Sequence, residues 1–174
     1  MNGDTKQIYL ISGPLGVGKS TTSKELARLV ERCVLIEGDD LLHMQMTEPA
    51  PTWEERLSLA WMNILSVTRN FIQNGFHVVI DFVVEDEFEW FCRQIADLNV
   101  QLKYAVLHAD EETITERLHM RGDIHLLDRS LFLLNKLKSA AVNADYLVDT
   151  NQKDPAETAA EVIQHDRFHV HIGM

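Results

Sequence analysis

Three glycines, a lysine and a serine lie close together near the start of the chain, between Gly13 and Ser20. Their spacing, G-x-x-x-x-G-K-S, is the pattern in which backbone N–H groups surround phosphate groups. Lys19 would contact the β- and γ-phosphates of a nucleotide, and the hydroxyl of Ser20 would bind Mg²⁺. The alternative is a glycine-rich turn with a chance lysine.

The residues on either side of this pattern favour the phosphate-binding interpretation. An apolar run typical of a strand precedes it, and a helical pattern follows it directly. This strand, loop and helix order is the context in which the pattern binds phosphate. We therefore predict that the chain binds ATP with Mg²⁺. The residues predicted to contact the nucleotide in this stretch are Gly13, Pro14, Leu15, Gly16, Val17, Gly18, Lys19, Ser20 and Thr21.

Two aspartates, Asp39 and Asp40, follow the second apolar run of the chain directly after a glycine. Transfer of a phosphoryl group to a hydroxyl needs one carboxylate that orients or deprotonates that hydroxyl. We predict that Asp39 is this base and that Asp40 shares its role or binds the acceptor. The alternative is that one of them only caps a short helix that begins at Leu41. His43 is a further candidate for contact with the acceptor.

Asp81 ends an apolar run, Val78–Ile80, which reads as a strand. A carboxylate at the end of a strand beside a phosphate-binding loop can hold Mg²⁺ through its water shell. We predict a magnesium site formed by Ser20 and Asp81, with Glu37 holding a metal-bound water. Asp81 is also a candidate for contact with the acceptor.

Two arginines, Arg117 and Arg121, are four residues apart and therefore share one face of a predicted helix. Such a basic segment could close over the triphosphate and neutralise the charge that develops on the γ-phosphoryl group. We predict that Arg121 acts in catalysis and that Arg117 binds the nucleotide. The alternative is a solvated face whose arginines pair with nearby acids. Both interpretations stay open for Arg129, which follows the break at Gly122.

The rest of the pattern predicts how these residues are positioned. Strands alternate with helices, which indicates a parallel sheet that is covered by helices on both faces. Ligands of such sheets bind at the carboxyl ends of the strands, where the acids described above lie. The predicted strands are residues 6–12, 34–36, 76–80, 102–107 and 146–148, and the predicted helices are 19–32, 41–46, 52–75, 85–98, 110–120, 130–142 and one from 154 onwards.

Length and composition limit the classes of function. The chain has 174 residues, of which 45% are hydrophobic, so we expect a single domain over residues 1–174. No apolar run reaches the roughly 20 residues of a membrane span, and the two cysteines follow no pattern, which favours a cytoplasmic protein without membrane contact. The net charge of −11 argues against binding to nucleic acid.

Together these motifs resemble the small P-loop kinases of the nucleoside-monophosphate-kinase-like group, in particular the gluconate, shikimate and chloramphenicol kinases. The segment Ile36–His43 is similar to one in gluconate kinases, and the spacing of Glu37 and Asp39 resembles an acid pair of shikimate kinases. The residues that follow Asp81 look more like those of chloramphenicol-type kinases. The resemblance implies a three-layer α/β/α fold with a five-stranded parallel sheet in order 2-3-1-4-5 and a short lid, at about 121–130.

The same resemblance implies roles for residues near the nucleotide base. The spacing of Arg117 and Arg121 is similar to that of an arginine pair in adenylate kinases, which implies stacking of Arg117 on adenine and phosphate contact by Arg121. The segment Asp149–Gln152 is placed like the adenine-binding loop of the group. Asn151 and Gln152 are therefore expected to contact the nucleotide.

Charge narrows the choice of phosphate acceptor. Twelve acids but only three arginines, Arg56, Arg69 and Arg93, lie between Glu37 and Val100. A nucleoside monophosphate brings a doubly charged phosphate, which normally requires two or more arginines, and of these three only Arg56 is well placed. We therefore expect a sugar, sugar acid or antibiotic-like hydroxyl compound, bound within about 38–75.

Three alternatives stay open beside the small-molecule kinase. A nucleoside monophosphate kinase and a 5′-hydroxyl nucleic-acid kinase would use the same chemistry, although the acidic surface speaks against the second. A regulatory protein that binds the nucleotide without catalysis would need no acceptor site. We expect a monomer or a homodimer.

Overall fold

The computed structural model describes residues 5–44 and 46–172. The domain predicted over 1–174 thus begins and ends outside the described residues, and one position of the predicted acceptor region, Gln45, is also outside them. The strands are β1 (Lys6–Ser12), β2 (Cys33–Glu37), β3 (His77–Asp81), β4 (Val100–His108), β5 (Leu147–Asp149) and β6 (His169–Val170). The helices are α1 (Lys19–Leu29), α2 (Gly38–Leu42), α3 (Trp53–Gln73), α4 (Phe88–Ile95), α5 (Glu111–Met120), α6 (Leu127–Ser139) and α7 (Pro155–Gln164).

The sheet has the strand order β2-β3-β1-β4-β5, and all neighbouring pairs along this path are parallel. This confirms the predicted α/β fold and its 2-3-1-4-5 order. The sheet also gains a strand that the sequence did not predict, because β6 pairs antiparallel with β4 through Leu102 and Val170. A strand of two residues is too short to produce an alternating pattern.

Alternation along β1 divides the core into two layers. Ile8 and Leu10 face one side of the sheet, whereas Tyr9 and Ile11 face the other, because successive side chains of a strand point in opposite directions. All four side chains are at most 2% exposed. The first layer is completed by α3 and α4 through Trp61, Ile64, Phe91 and Ile95, and the second by α1, α5 and α7 through Leu26, Ile114, Leu118 and Val162.

Two helices begin where the sequence predicted, at about 52 and 154, and each begins with a capping box. Thr52 and Glu55 form a reciprocal capping box at the start of α3, and Asp154 and Glu157 form another at the start of α7. Each box satisfies backbone N–H groups that the first turn of a helix leaves without a partner. These local hydrogen bonds fix where both helices begin.

Two predicted helix starts next to the site were wrong. A helix expected over 41–46 instead forms α2, which begins at Gly38, so Asp39 and Asp40 lie in its first turn. A helix expected to begin at 130 instead begins at Leu127, directly after a 3-10 turn at Ile124–Leu126, and the lid implied at about 121–130 stays a prediction. None of the helices in the described part of the chain is both long enough and apolar enough to cross a membrane.

Candidate active site

The glycine-rich loop connects β1 to α1 in a conformation that glycine makes accessible. Gly13, Gly16 and Gly18 have φ angles of +145°, +77° and +102°, which other residues rarely adopt. A Cβ atom on Gly13 would lie 2.6 Å from the carbonyl oxygen of Leu107. Among the described residues no side chain caps the N-terminus of α1. Its first N–H groups are therefore available to an anion, which the helix dipole also favours.

Lys19 lies across this loop and is partly buried. Its Nζ atom donates a hydrogen bond of 3.0 Å to the carbonyl oxygen of Pro14. Removal from water lowers the pKa of Lys19, and the nearby positive charge of Arg121 lowers it further, whereas Asp81 and Asp39 act in the opposite direction. A phosphate bound in the loop would take the place of the Pro14 carbonyl oxygen as the hydrogen-bond partner of Lys19.

Asp81 lies at the carboxyl end of β3, where its backbone is in register with Glu37 of β2. The residue is 7% exposed, and burial raises the pKa of its carboxyl group; Lys19 and a hydrogen bond from the Ser20 hydroxyl lower it, while Asp39 and Glu37 raise it. The structure therefore brings the five residues close enough to interact. Glu37 also forms an ion pair of 3.3 Å with Lys24.

The oxygen atoms around Asp81 fit a magnesium ion only as part of a larger set of ligands. The described residues contain no group of three or more His, Cys, Asp or Glu side chains that could hold a metal ion. Magnesium in phosphoryl-transfer sites takes one or two protein oxygens and completes its shell with phosphate and water. The Ser20 hydroxyl and the Asp81 carboxylate provide such a pair.

A cavity of about 330 Å³ opens on one side of the loop. Its walls include several residues predicted from the sequence, namely Gly16, Val17, Gly18, Thr21, Arg117 and Arg121. Other wall residues were missed, namely Thr22, Met120, Thr150, Lys153, Pro155 and Thr158. Thr150 belongs to the segment that the resemblance placed near adenine, and Lys153 follows it. Met120 ends α5, Thr22 lies in α1, and Pro155 and Thr158 lie in α7, where no sequence pattern pointed to the nucleotide. We call this space the donor cavity.

Arg117 holds two walls of the donor cavity together. Its guanidinium group donates to the carbonyl oxygen of Val17 at 3.0 Å and to the carbonyl oxygen of Thr150 at 3.0 Å, and it also donates to the Thr150 hydroxyl at 3.2 Å. These contacts anchor the guanidinium group between the loop and the segment after β5, and its implied stacking on adenine stays a prediction. Arg121 is exposed, lies 3.4 Å from Asp123 and also lines the donor cavity.

The two residues implied to contact adenine after β5 do not line the donor cavity. The side-chain oxygen of Asn151 accepts a hydrogen bond of 2.9 Å from the backbone N–H of Asp110, which holds it against the start of α5. Gln152 is exposed. Their neighbours Thr150 and Lys153 line the cavity instead.

A second cavity, of about 320 Å³, lies beside the loop at Leu15, and we call it the acceptor cavity. Its walls come from α2, α3, the segment after β3 and the start of α6. They comprise Leu15, Asp39, Leu42, His43, Trp53, Leu57, Phe82, Val83, Glu85, Glu87, Leu126, Arg129 and Leu133. The sequence named Asp39 and His43 among them as acceptor residues and left Arg129 open.

Other residues predicted to bind the acceptor have different surroundings. Asp40 is exposed and does not line the acceptor cavity. The guanidinium group of Arg56 donates to the carbonyl oxygen of Leu42 at 3.0 Å, so it anchors α2 to α3. The ring of His43 turns back on its own helix, with Nδ1 2.9 Å from the carbonyl oxygen of Asp39. Asp81 lies at the loop and does not line the acceptor cavity.

Comparison with known proteins relates this arrangement to a family. Residues 8–139 match the family model described as "AAA domain", AAA_33, and this range covers the glycine-rich loop, Asp39, Asp81 and all of α6. No curated protein matches the chain significantly.

Several solved structures share the fold. A tunicamycin resistance protein from Deinococcus radiodurans superposes with a TM-score of 0.67 at 17% identity, covering 90% of this chain and 93% of that chain. An APS kinase from Mycobacterium tuberculosis, solved with AMPPNP and APS, gives 0.67 at 15% identity over 91% of this chain and 95% of that chain. A gluconokinase from Sinorhizobium meliloti gives 0.60 at 19% identity, with 93% and 91% of the chains covered. Identities this low establish similarity of fold.

Proposed function

This chain belongs to the AAA domain family AAA_33, and on that premise we propose that it is an ATP-dependent kinase that transfers the γ-phosphoryl group to a hydroxyl of a small molecule. One observation carries the proposal. Asp39 lines the acceptor cavity and is also close enough to Lys19 to influence its pKa by its charge. A carboxylate between the phosphate loop and a separate cavity is where phosphoryl transfer needs its base.

The donor half consists of the glycine-rich loop and the donor cavity. Backbone N–H groups of the loop and of the first turn of α1 would bind the phosphates, and Lys19 would exchange its bond to Pro14 for the γ-phosphate. Arg121 is free enough in its exposed position to turn toward the same group. Ser20 and Asp81, with Glu37 behind a water molecule, would hold Mg²⁺, which when bound neutralises charge on the β- and γ-phosphates.

The acceptor half begins at Asp39. Its carboxylate would accept a hydrogen bond from the acceptor hydroxyl, orient the oxygen toward the γ-phosphorus and take up the proton as the new O–P bond forms. His43 flanks this position at the C-cap of α2, and we propose it as a secondary contact of the acceptor. Asp40 is exposed outside the cavity and is assigned no contact with the acceptor. The names of structural neighbours, among them a gluconokinase and an APS kinase, support kinase chemistry with different acceptors on this fold.

Two other functions compete with this proposal. For a nucleoside monophosphate kinase the acceptor side would need several free arginines, whereas Arg56 is bound to the carbonyl oxygen of Leu42 and Arg129 to Glu85. A regulatory protein that only binds the nucleotide would need the donor cavity alone. The presence of a second cavity beside the loop therefore favours the small-molecule kinase.

Radiolabelled ATP tests the proposal. The protein, Mg²⁺ and ATP labelled in the γ-phosphate are incubated with sugars, sugar acids, hydroxylated antibiotics or nucleoside monophosphates, and the products are separated by chromatography. We expect label in at least one hydroxyl compound and little in nucleoside diphosphates made from the monophosphates. Preferential labelling of the monophosphates would replace the proposal with the first alternative. Transfer of label to inorganic phosphate alone, or no release of label from ATP, would favour a regulatory protein that only binds the nucleotide.

A further inference from the structure

The residues that line the acceptor cavity indicate the charge and polarity of the compound that it binds. Resting on the function proposed above, we infer that the acceptor is a hydroxyl compound with an apolar body and no anionic group. This is narrower than the class of sugars, sugar acids and antibiotic-like compounds, and it excludes the sugar acids. Three features of the cavity lead to this conclusion: its apolar surface, the pairing of its arginine, and a carboxylate without a cationic partner.

Most of the wall is apolar. Trp53 and Leu57 come from α3, Phe82 comes from the segment after β3, and Leu133 comes from α6. Trp53 is 48% exposed, so much of its ring is free to contact a ligand. A cavity of about 320 Å³ is large enough for a small organic molecule. Burial of an apolar body here would be favourable, because both the ligand and these side chains lose contact with water.

The arginine in the wall is already paired. The guanidinium group of Arg129 forms an ion pair with Glu85, which also lies 3.2 Å from Lys136. Lys136 in turn lies 2.8 Å from Asp86. These four side chains neutralise one another across the gap between α6 and the segment after β3. An anionic acceptor that recruited Arg129 would therefore have to break an existing ion pair.

Glu87 provides a negative charge that the acceptor would meet. One carboxylate oxygen accepts hydrogen bonds of 3.0 Å and 3.1 Å from the backbone N–H groups of Glu85 and Asp86. Among the described residues, no lysine, arginine or histidine forms an ion pair with Glu87. Glu87 lines the acceptor cavity and also a groove of about 640 Å³ between α3 and α4.

The electrostatic consequence follows from the sum of these charges. Three carboxylates but only one guanidinium group line the cavity, so its net charge is negative when His43 is neutral. A phosphate or carboxylate on the acceptor would be repelled and would also lose water without gaining a cation in exchange. A neutral compound avoids this cost, and an amine gains from it. The hydroxyl group would then point toward Asp39.

A series built on one scaffold tests the inference. The compounds are phenylalaninol, its N-acetyl derivative and 2-benzyl-3-hydroxypropanoate, which carry an amine, a neutral amide and a carboxylate at the same position beside the same benzyl group and primary hydroxyl. Gluconate and AMP are added as polar anions. We expect labelled-phosphate transfer to the amine and the amide with a kcat/KM about tenfold or more above that of the three anionic compounds.

Substitutions in the cavity wall test whether these compounds bind in the acceptor cavity. Replacing Trp53→Ala should raise the KM for N-acetylphenylalaninol about tenfold while the KM for ATP stays unchanged. The matched control is Leu59→Ala, because Leu59 is 43% exposed on the same helix but does not line the acceptor cavity. Replacing Glu87→Gln keeps an acceptor for the two backbone N–H groups, and it should improve the relative use of 2-benzyl-3-hydroxypropanoate.

The outcomes separate this inference from the function on which it rests. Equal or better use of 2-benzyl-3-hydroxypropanoate by the unaltered protein, or turnover of gluconate or AMP alone, overturns the inference and leaves the proposed kinase function intact. An equal effect of Trp53→Ala and Leu59→Ala overturns the assignment of the cavity. If no compound of any class receives label while ATP still binds, the proposed kinase function fails, and the inference fails with it.

Discussion

Asp81 and Lys19 each carry a charge that burial disfavours, and they interact beside the glycine-rich loop. Burial raises the pKa of Asp81 and lowers the pKa of Lys19, although each partly compensates the other. Opposite pKa shifts of two neighbouring groups are common in active sites. Bound phosphates would provide a negative partner for Lys19, and Mg²⁺ would provide a positive partner for Asp81.

Replacing Asp81→Asn should therefore stabilise the free protein while impairing transfer. A carboxyl group whose folded-state pKa is raised stabilises the folded state when protonated, and this contribution is lost as pH rises through that pKa. At neutral pH the substitution removes the cost, and we expect Tm to rise by about 2–4 °C. The gain should shrink as pH falls through the folded-state pKa of Asp81. Thermal unfolding across a pH series measures this, and a lower Tm at neutral pH would contradict it.

At the scale of single residues, the sequence predicted which residues form the glycine-rich loop, but it could not predict the hydrogen-bond partners of other site residues. Glycines at 13, 16 and 18 follow from local backbone requirements, and their positive φ angles agree with the motif. Arg56 and Asn151 instead bond to backbone groups of Leu42 and Asp110, which are distant in sequence. Such partners depend on how helices and strands pack, and the chemistry of an arginine or asparagine suits a backbone group as well as a ligand.

At the scale of elements, Arg117 in the last turn of α5 and Arg121 at its C-cap have different environments, and this makes a matched pair of variants. Replacing Arg117→Ala should lower the free energy of unfolding by about 2–3 kcal/mol, because Val17 and Thr150 lose charge-assisted hydrogen bonds. Replacing Arg121→Ala removes an exposed pair with Asp123 and should change the free energy of unfolding by at most about 0.5 kcal/mol.

The two variants should differ in kinetics as well. Arg121→Ala is expected to lower kcat about a hundredfold, because a cation near the γ-phosphoryl group is lost. Arg117→Ala is expected to raise the KM for ATP through displacement of the loop. Denaturant titration and steady-state kinetics check both. A stable Arg117→Ala variant with a low kcat would show that the two roles are reversed.

The sequence of helices and strands along the chain was predictable because hydrophobic periodicity is a local signal, whereas the 2-3-1-4-5 order of the strands in the sheet was implied by the resemblance. The start of α2 was not predictable. Gly38 packs so closely on Phe82 that a Cβ atom would lie 2.5 Å from its ring, and the backbone of Glu37 is extended up to that point. This contact joins residues of two neighbouring strand ends, which a local pattern does not contain.

For the whole molecule, ATP should stabilise the folded state because it would contact the loop, α5 and the segment after β5 together. A ligand that binds only the folded state at 100 times its Kd adds about 2.7 kcal/mol of stability. For a protein of this size we therefore expect ATP with Mg²⁺ to raise Tm by roughly 5–10 °C. Replacing Lys19→Ala should remove most of this shift, whereas the exposed Lys138→Ala should not. Equal shifts in the two variants would place ATP elsewhere.

The position of Asp39 between the donor and acceptor halves is the centre of the proposed function, and its neighbour Asp40 provides the control. Both are acidic residues of the first turn of α2, but only Asp39 lines the acceptor cavity. The direct measurement compares kcat for acceptor phosphorylation and Kd for ATP in Asp39→Asn and Asp40→Asn. Loss of a general base predicts that kcat falls by about 10²–10⁴-fold in Asp39→Asn with the Kd for ATP unchanged, while Asp40→Asn retains activity. Equal activity in both variants, or loss of ATP binding together with turnover in Asp39→Asn, would contradict the account.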